Sequence, residues 1–171
     1  MISRCLRWVA GGLFTAVLAG LLLAVPAARA QDKGKLDLDK IPKNVMDALK
    51  VKFPKAEIHK WAMEKEGDNV VYDIEFKQEG RKFEADIKED GTILNWEQEI
   101  AAKDLPKAVK KAVGKNYPKA TLKEIMKITE VKDKKERLEG YEIVLETADK
   151  KGVEVTVAPD GKILEDSGQK K

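Results

Sequence analysis

Val153-Glu154-Val155-Thr156-Val157, continuing as Ala158-Pro159-Asp160-Gly161-Lys162-Ile163-Leu164, carries two structural instructions. Valine at every second position, with polar residues between, marks a strand with one apolar and one polar face. Proline then presets the first central position of a type I turn, and glycine accepts the left-handed conformation of the bulge that closes it. Such a loop pairs Val157 with Ile163 on the apolar face and leaves Leu164 on the other. One solvated face is the mark of an antiparallel sheet.

The same pattern occurs elsewhere in the chain. Tyr141, Ile143 and Leu145 alternate with polar residues. So do Tyr72, Ile74 and Phe76 with Asp73 and Glu75, and Phe83, Ala85 and Ile87 with Glu84, Asp86 and Lys88. Turn residues separate these runs at Gly67-Asp68-Asn69, Glu79-Gly80, Asp90-Gly91, Lys151-Gly152 and Asp160-Gly161. Upstream of each set lies a helix signal. Pro42 and Pro106 suit a first helical turn, and Asp104 is placed to complement the second helix's N-terminus. Val45, Ala48 and Leu49 recur at helical spacing, as do Val109, Ala112 and Val113. Pro54 and Pro118 end the helices, because a residue before proline avoids the helical region.

These features form an internal repeat. Ile41-Pro42-Lys43-Asn44-Val45 recurs as Leu105-Pro106-Lys107-Ala108-Val109, and Phe53-Pro54-Lys55-Ala56 as Tyr117-Pro118-Lys119-Ala120. Tyr72-Asp73-Ile74 recurs as Tyr141-Glu142-Ile143, and Asp90-Gly91-Thr92-Ile93-Leu94 as Asp160-Gly161-Lys162-Ile163-Leu164. The second copy has extra residues around Lys132–Arg137, which read as a charge-rich surface loop. The expected fold is therefore α+β, with two repeats of one helix packed on a roughly four-stranded antiparallel sheet, the two able to share one continuous sheet.

Residues 1–30 are set apart from the rest. Arg4 and Arg7 precede an uncharged run from Trp8 to Ala28, and Ala28-Arg29-Ala30 is an A-x-A cleavage signal. This is the order of a secretory signal peptide, with the cut after Ala30. An uncleaved anchor competes, since about 20 apolar residues span a bilayer, but Gly11, Gly12, Gly20 and Pro26 dilute the run. The expected division is 1–30 signal peptide, 31–40 linker, 41–100 first repeat, 101–165 second repeat and 166–171 tail, with residues 31–40 and 165–171 loose. The protein would be periplasmic or secreted, with no membrane partner once the leader is cut.

The leader also distorts the charge balance. The whole chain has 33 Lys+Arg against 30 Asp+Glu, a net of +3. Arg4, Arg7 and Arg29 account for all of it, so residues 31–171 balance at zero. They also lack cysteine, the one Cys5 lying in the leader. A disulfide framework, a cysteine zinc site and a catalytic thiol are excluded, and the balance gives no net positive field for nucleic acid.

On the motifs Leu105-Pro106, Tyr117-Pro118-Lys119-Ala120, Tyr141-Glu142-Ile143-Val144-Leu145 and Asp160-Gly161-Lys162-Ile163-Leu164, with their partial first copies, the chain resembles the tandem PepSY-like family, also described as β-lactamase-inhibitor-like. The resemblance spans nearly all of residues 31–171, but its motifs are structural. It implies a small exported bacterial protein without an established activity. Related units occur in propeptides of secreted metallopeptidases, and similar inhibitors grip enzymes with an open sheet face. No inhibitory residue belongs to the shared motif.

The residues themselves offer little catalysis. Outside the leader there is one serine, Ser167, and one histidine, His59, too few for a Ser-His device. Asp86, Asp90 and Glu97 partly match a calcium loop, but Lys88 occupies a ligand position and the flanks alternate like strands. The candidate protein-binding face comprises Glu84, Asp86, Leu94, Trp96 and Trp61. Under the bulged register Leu94 and Trp96 share the open face with Glu84 and Asp86, whereas a two-residue turn at Asp90-Gly91 would bury Trp96. The plain alternative for Trp61 and Trp96 is core packing or the seam between copies. Asp166 replaces Trp96 in the second copy, which points any site toward the first. The reading is a non-catalytic binding module for a protein partner, a peptidase or other exported enzyme, with no cofactor. The alternative is a small-ligand or cation-binding protein using sheet-face carboxylates.

Overall fold

A computed structural model describes residues 36–66 and 69–169. The leader, its predicted cut, Cys5 and the turn residues Gly67 and Asp68 lie outside them. A short 3-10 turn, Leu38–Lys40, leads into helix α1, Lys43–Lys52. Strands β1 Glu57–Glu66, β2 Asn69–Gln78, β3 Arg81–Lys88 and β4 Ile93–Glu99 follow. A second 3-10 turn, Ala102–Asp104, precedes α2, Lys107–Asn116, and strands β5 Thr121–Lys132, β6 Lys135–Glu146, β7 Gly152–Val157 and β8 Ile163–Asp166. All eight strands form one antiparallel sheet in sequence order, so β4 pairs directly with β5 and the sheet is continuous.

Each helix has ten residues, too few to persist alone in water. Val45 and Leu49 of α1, and Val109 and Val113 of α2, are buried one turn apart, and this stripe holds each helix on the sheet. Pro42 and Pro106 sit just before the first helical residue with extended backbone, ψ 145° and 147°, rather than inside the first turn. Asp104 lies in the 3-10 turn, and no side chain caps α2. Phe53 and Tyr117 end the helices with their N–H groups bonded to Leu49 and Val113, immediately before the prolines.

Two apolar cores lie under the helices. One gathers Ile41, Val45, Leu49 and Phe53 against Tyr72, Ile74, Phe76, Phe83, Ala85 and Ile87. The other gathers Leu105, Val109 and Val113 against Ile125, Tyr141, Ile143, Leu145, Val153, Val155 and Val157, with Tyr117 packed at its margin. Nearly every position in one has its counterpart in the other. Burying each large side chain is worth about 1.5–3 kcal/mol, so these clusters dominate the stability of the fold.

The hairpin turns adopt the expected geometry and then depart from it. Gly91 N–H donates to the Lys88 carbonyl at 2.8 Å and Lys88 N–H to Thr92 at 2.9 Å, with Gly91 at φ +89°. This is a type I turn closed by a glycine bulge, and it pairs Ile87 with Ile93. Gly161 repeats it and pairs Val157 with Ile163. A second irregularity follows at once. Asp86 pairs with Asn95 rather than Leu94, so Leu94 is an extra residue in β4, as Leu164 is in β8. The register slips by one and every later side chain changes face. Trp96 therefore stands opposite Ala85 on the helix side, which overturns its expected place on the open face.

Two further expectations are corrected. The extra residues around Lys132–Arg137 are not a loop. They lengthen the β5–β6 hairpin, which turns at Asp133 and Lys134, φ 51° and 59°. Both residues take the left-handed region that suits the twist of a two-residue hairpin. Nor are the ends entirely loose. Leu38–Lys40 is a 3-10 turn, Glu165 and Asp166 pair with β7, and the Ser167 N–H donates to the Glu154 carbonyl at 3.0 Å.

Candidate functional site

The predicted site residues divide between the two faces of the sheet. Glu84 and Asp86 lie together opposite the helices. Trp96 lies among the core aromatics, edge-on to Phe53 at 5.9 Å and tilted against Phe83 at 6.4 Å, with the Lys52 ammonium 5.3 Å from its ring centre. Trp61 faces the same side, opposite Ile74 and 6.2 Å from Tyr72. Leu94 is the half-buried extra residue of the bulge. Both tryptophans are half-buried and pack against the first core, and Trp96 also pairs with Thr129 of β5, at the seam between the two halves.

The sheet face opposite the helices has its own organisation. Glu75, Glu84 and Glu97 stand directly across from one another on β2, β3 and β4, and Asp73, Asp86 and Asn95 form the next rank. Like charges placed directly opposite are destabilising, so this arrangement needs compensation. Lys60 bridges to Glu75 at 2.6 Å, and Lys82 reaches Glu84 at 2.9 Å and Glu124 at 2.6 Å. Asn95 donates its amide to Asp86 at 2.8 Å. Burial works against the Lys82 charge, but its hydrogen bonds to Glu124 and Glu84 outweigh that and hold its pKa above the ordinary lysine value. Glu84 is 4 % exposed, and such a carboxylate is tolerated only when paired.

The ranks thin out in the second half. The positions matching Glu75 and Asp86 are Val144 and Thr156. Met126 and Ile128 of β5 share this face, pairing with Glu142 and Glu97, and are buried although they belong to neither core. Sequence reasoning passed over Asp73 and Glu75, although their alternation with Tyr72, Ile74 and Phe76 marks the face. Glu97, weighed above only as a calcium-loop position, falls on this face with Met126 and Ile128 because of the β4 register.

On the helix side the two halves solve one position differently. Where Phe53 meets Trp96, Tyr117 donates its hydroxyl to Asp166. Burial, then that hydrogen bond and the Asp166 charge, push the Tyr117 phenol above its ordinary pKa.

Among the described residues the one serine and the one histidine lie far apart. His59 is on β1 and Ser167 follows β8, with six strands between them, and the Ser167 hydroxyl accepts the Glu154 N–H at 2.8 Å. Among the described residues no three His, Cys, Asp or Glu could hold a metal ion, and no helix is long and apolar enough to cross a membrane. Fold and face together define an α+β protein whose eight-stranded antiparallel sheet carries ranks of carboxylates on the face opposite the helices.

The chain belongs to the family described as "Putative beta-lactamase-inhibitor-like, PepSY-like", whose profile matches twice, over residues 30–95 and 71–165. The two matches overlap over residues 71–95. Solved structures share the fold. A BLIP-like protein from Bacteroides fragilis is 22% identical, with 81% of this chain and 91% of that one covered and a TM-score of 0.50. A DUF2874 family protein from Bacteroides uniformis is 16% identical, covering 73% and 87%, TM-score 0.57. One from Bacteroides eggerthii described as among "putative periplasmic proteins" is 16% identical, covering 74% and 87%, TM-score 0.58. No curated protein matches.

Proposed function

We propose that this chain is an exported, non-catalytic binding module built from two copies of one helix-and-four-strand unit, and that it holds a protein partner on the sheet face opposite the helices. The observation that carries this reading is the pair of cross-strand carboxylate ranks, Glu75–Glu84–Glu97 and Asp73–Asp86, concentrated in the first half. Like charges aligned in this way cost stability, and a function in recognition accounts for keeping them. The family's inhibitor-like description and the BLIP-like fold support an exported enzyme as the partner class, and the eggerthii structure's description supports the periplasm. The cross-strand carboxylates favour a partner surface rich in lysine or arginine.

Calorimetry against exported peptidases and β-lactamases of the producing organism tests this. One should bind, and Asp73→Lys with Asp86→Lys should weaken it at least tenfold, since reversing charges at an interface replaces attraction with repulsion. Trp61→Phe, on the helix side, should bind normally. Loss of binding in Trp61→Phe with full binding in the charge-reversed variant would sink the reading.

A further inference from the structure

The zero net charge conceals a segregation. Residues 103–119, which contain α2, hold six lysines and one aspartate. Within the helix Lys107, Lys111 and Lys115 fall one turn apart on the exposed side, opposite the buried Val109 and Val113, with Lys110 beside them. The helix contains no carboxylate, and among the described residues these three lysines form no ion pair. Like charges at this spacing oppose helix formation, and so does Gly114 in the helix interior, where nothing lies within 4 Å of a would-be Cβ. The corresponding stripe on α1 is ordinary by comparison. It reads Lys43, Met46, Asp47 and Val51, and Lys43 pairs with Asp47. Folding therefore does not explain the α2 stripe.

We infer that the exposed ridge of α2 docks on the anionic phospholipid headgroups of a bilayer. The ridge runs about 12 Å from Lys107 to Lys115, with Lys103 and Lys119 beyond its two ends, so its charge is spread along a convex line that suits a flat phosphate-bearing plane. Nucleic acid fits less well, because the segment has no arginine for bidentate contacts, and Tyr117, its one aromatic, is engaged with Asp166 rather than free to stack. A second copy, offering the carboxylate face of its sheet, would instead show itself as self-association in the absence of lipid. The inference stands apart from the identity of any partner on the sheet.

The test is sedimentation of the exported protein with phosphatidylcholine vesicles, with and without one third phosphatidylglycerol. Binding should require the anionic lipid and fade with added salt. Each headgroup-facing lysine is worth about fivefold, so Lys107→Gln, Lys111→Gln and Lys115→Gln together should weaken binding about 100-fold. The matching triple Lys→Arg variant should bind like the parent, which separates charge from damage to the helix. An apolar leader, if retained, would bind both vesicle types equally, so the difference between them is the readout. Equal binding to neutral vesicles, full binding by the Gln variant, tighter binding to duplex DNA than to anionic vesicles, or salt-sensitive self-association without lipid would each overturn the inference.

Discussion

Tyr117 and Asp166 occupy the places that Phe53 and Trp96 fill in the other half, and this exchange is the sharpest difference between the two cores. A ring-on-ring contact has become a hydroxyl donating to a carboxylate. Tyr117→Phe removes one of two donors to the Asp166 carboxylate, the Gly168 N–H at 2.9 Å remaining, so it should cost about 1 kcal/mol near neutral pH. The pH dependence follows from the direction of the shift. The folded protein holds the phenol above its ordinary value, near 10, so at higher pH the unfolded chain ionises first. The Tyr117 contribution is complete below about pH 10 and declines as pH rises beyond it. Urea midpoints across that range should fall less steeply in Tyr117→Phe than in the parent. Parallel profiles would show that Tyr117 is not the responsible group. Tyr72 and Tyr141, also raised by burial, remain in both proteins.

At the scale of elements, much was written plainly. Alternation fixed the strands, and Pro159-Asp160-Gly161 fixed a turn whose geometry was readable to the hydrogen bond. The extra residue that follows it was not. Leu94 and Leu164 have no turn chemistry to announce a bulge, and the slip they cause exchanges the faces of everything downstream. Trp96 was misplaced for that reason alone, and Glu97 was hidden by it. The extra residues at Lys132–Arg137 misled in the opposite sense, because charge suggested a loop where the twist of a long hairpin accommodates the residues within strands. The glycine turns themselves bear on the helices. A Cβ at Gly91 would lie 2.9 Å from the Asn44 carbonyl oxygen, and one at Gly161 would lie 2.8 Å from that of Ala108. Gly80 shares a left-handed backbone, φ +77°, but has nothing within 4 Å. Gly80→Ala should therefore cost about 1 kcal/mol for backbone strain alone, and Gly91→Ala and Gly161→Ala visibly more. Thermal melts showing all three equal would rule out the helix contact as a source of stability.

For the molecule as a whole, the two cores are separate clusters joined through the β4–β5 ladder. That ladder should make unfolding a single transition. Gln98→Pro, placed where β4 pairs with Lys127, removes a donor from a central strand and should split the calorimetric trace into two. A single lowered transition would mean the halves are coupled by something other than this pairing. The global arrangement was legible because each half states its own helix and strands. Charge segregation was legible only once neutrality was resolved into segments, since an overall sum of zero says nothing about where the lysines stand.

The sequential order of the strands also governs assembly. A chain that emerges N-terminus first can close its first core as soon as β4 has paired with β3, before α2 or β5 exists outside the channel. Until β5 arrives, β4 is an unguarded border, seven residues long, with a full row of unpaired amides and carbonyls. The natural occupant must cross the whole of α2 before it can dock. A truncated chain ending near Glu99, or a stalled one, would keep that border open, and the β5 of a neighbouring molecule could fill it as readily as its own. Strand exchange between molecules, rather than loss of either core, is the failure to which this architecture is most exposed.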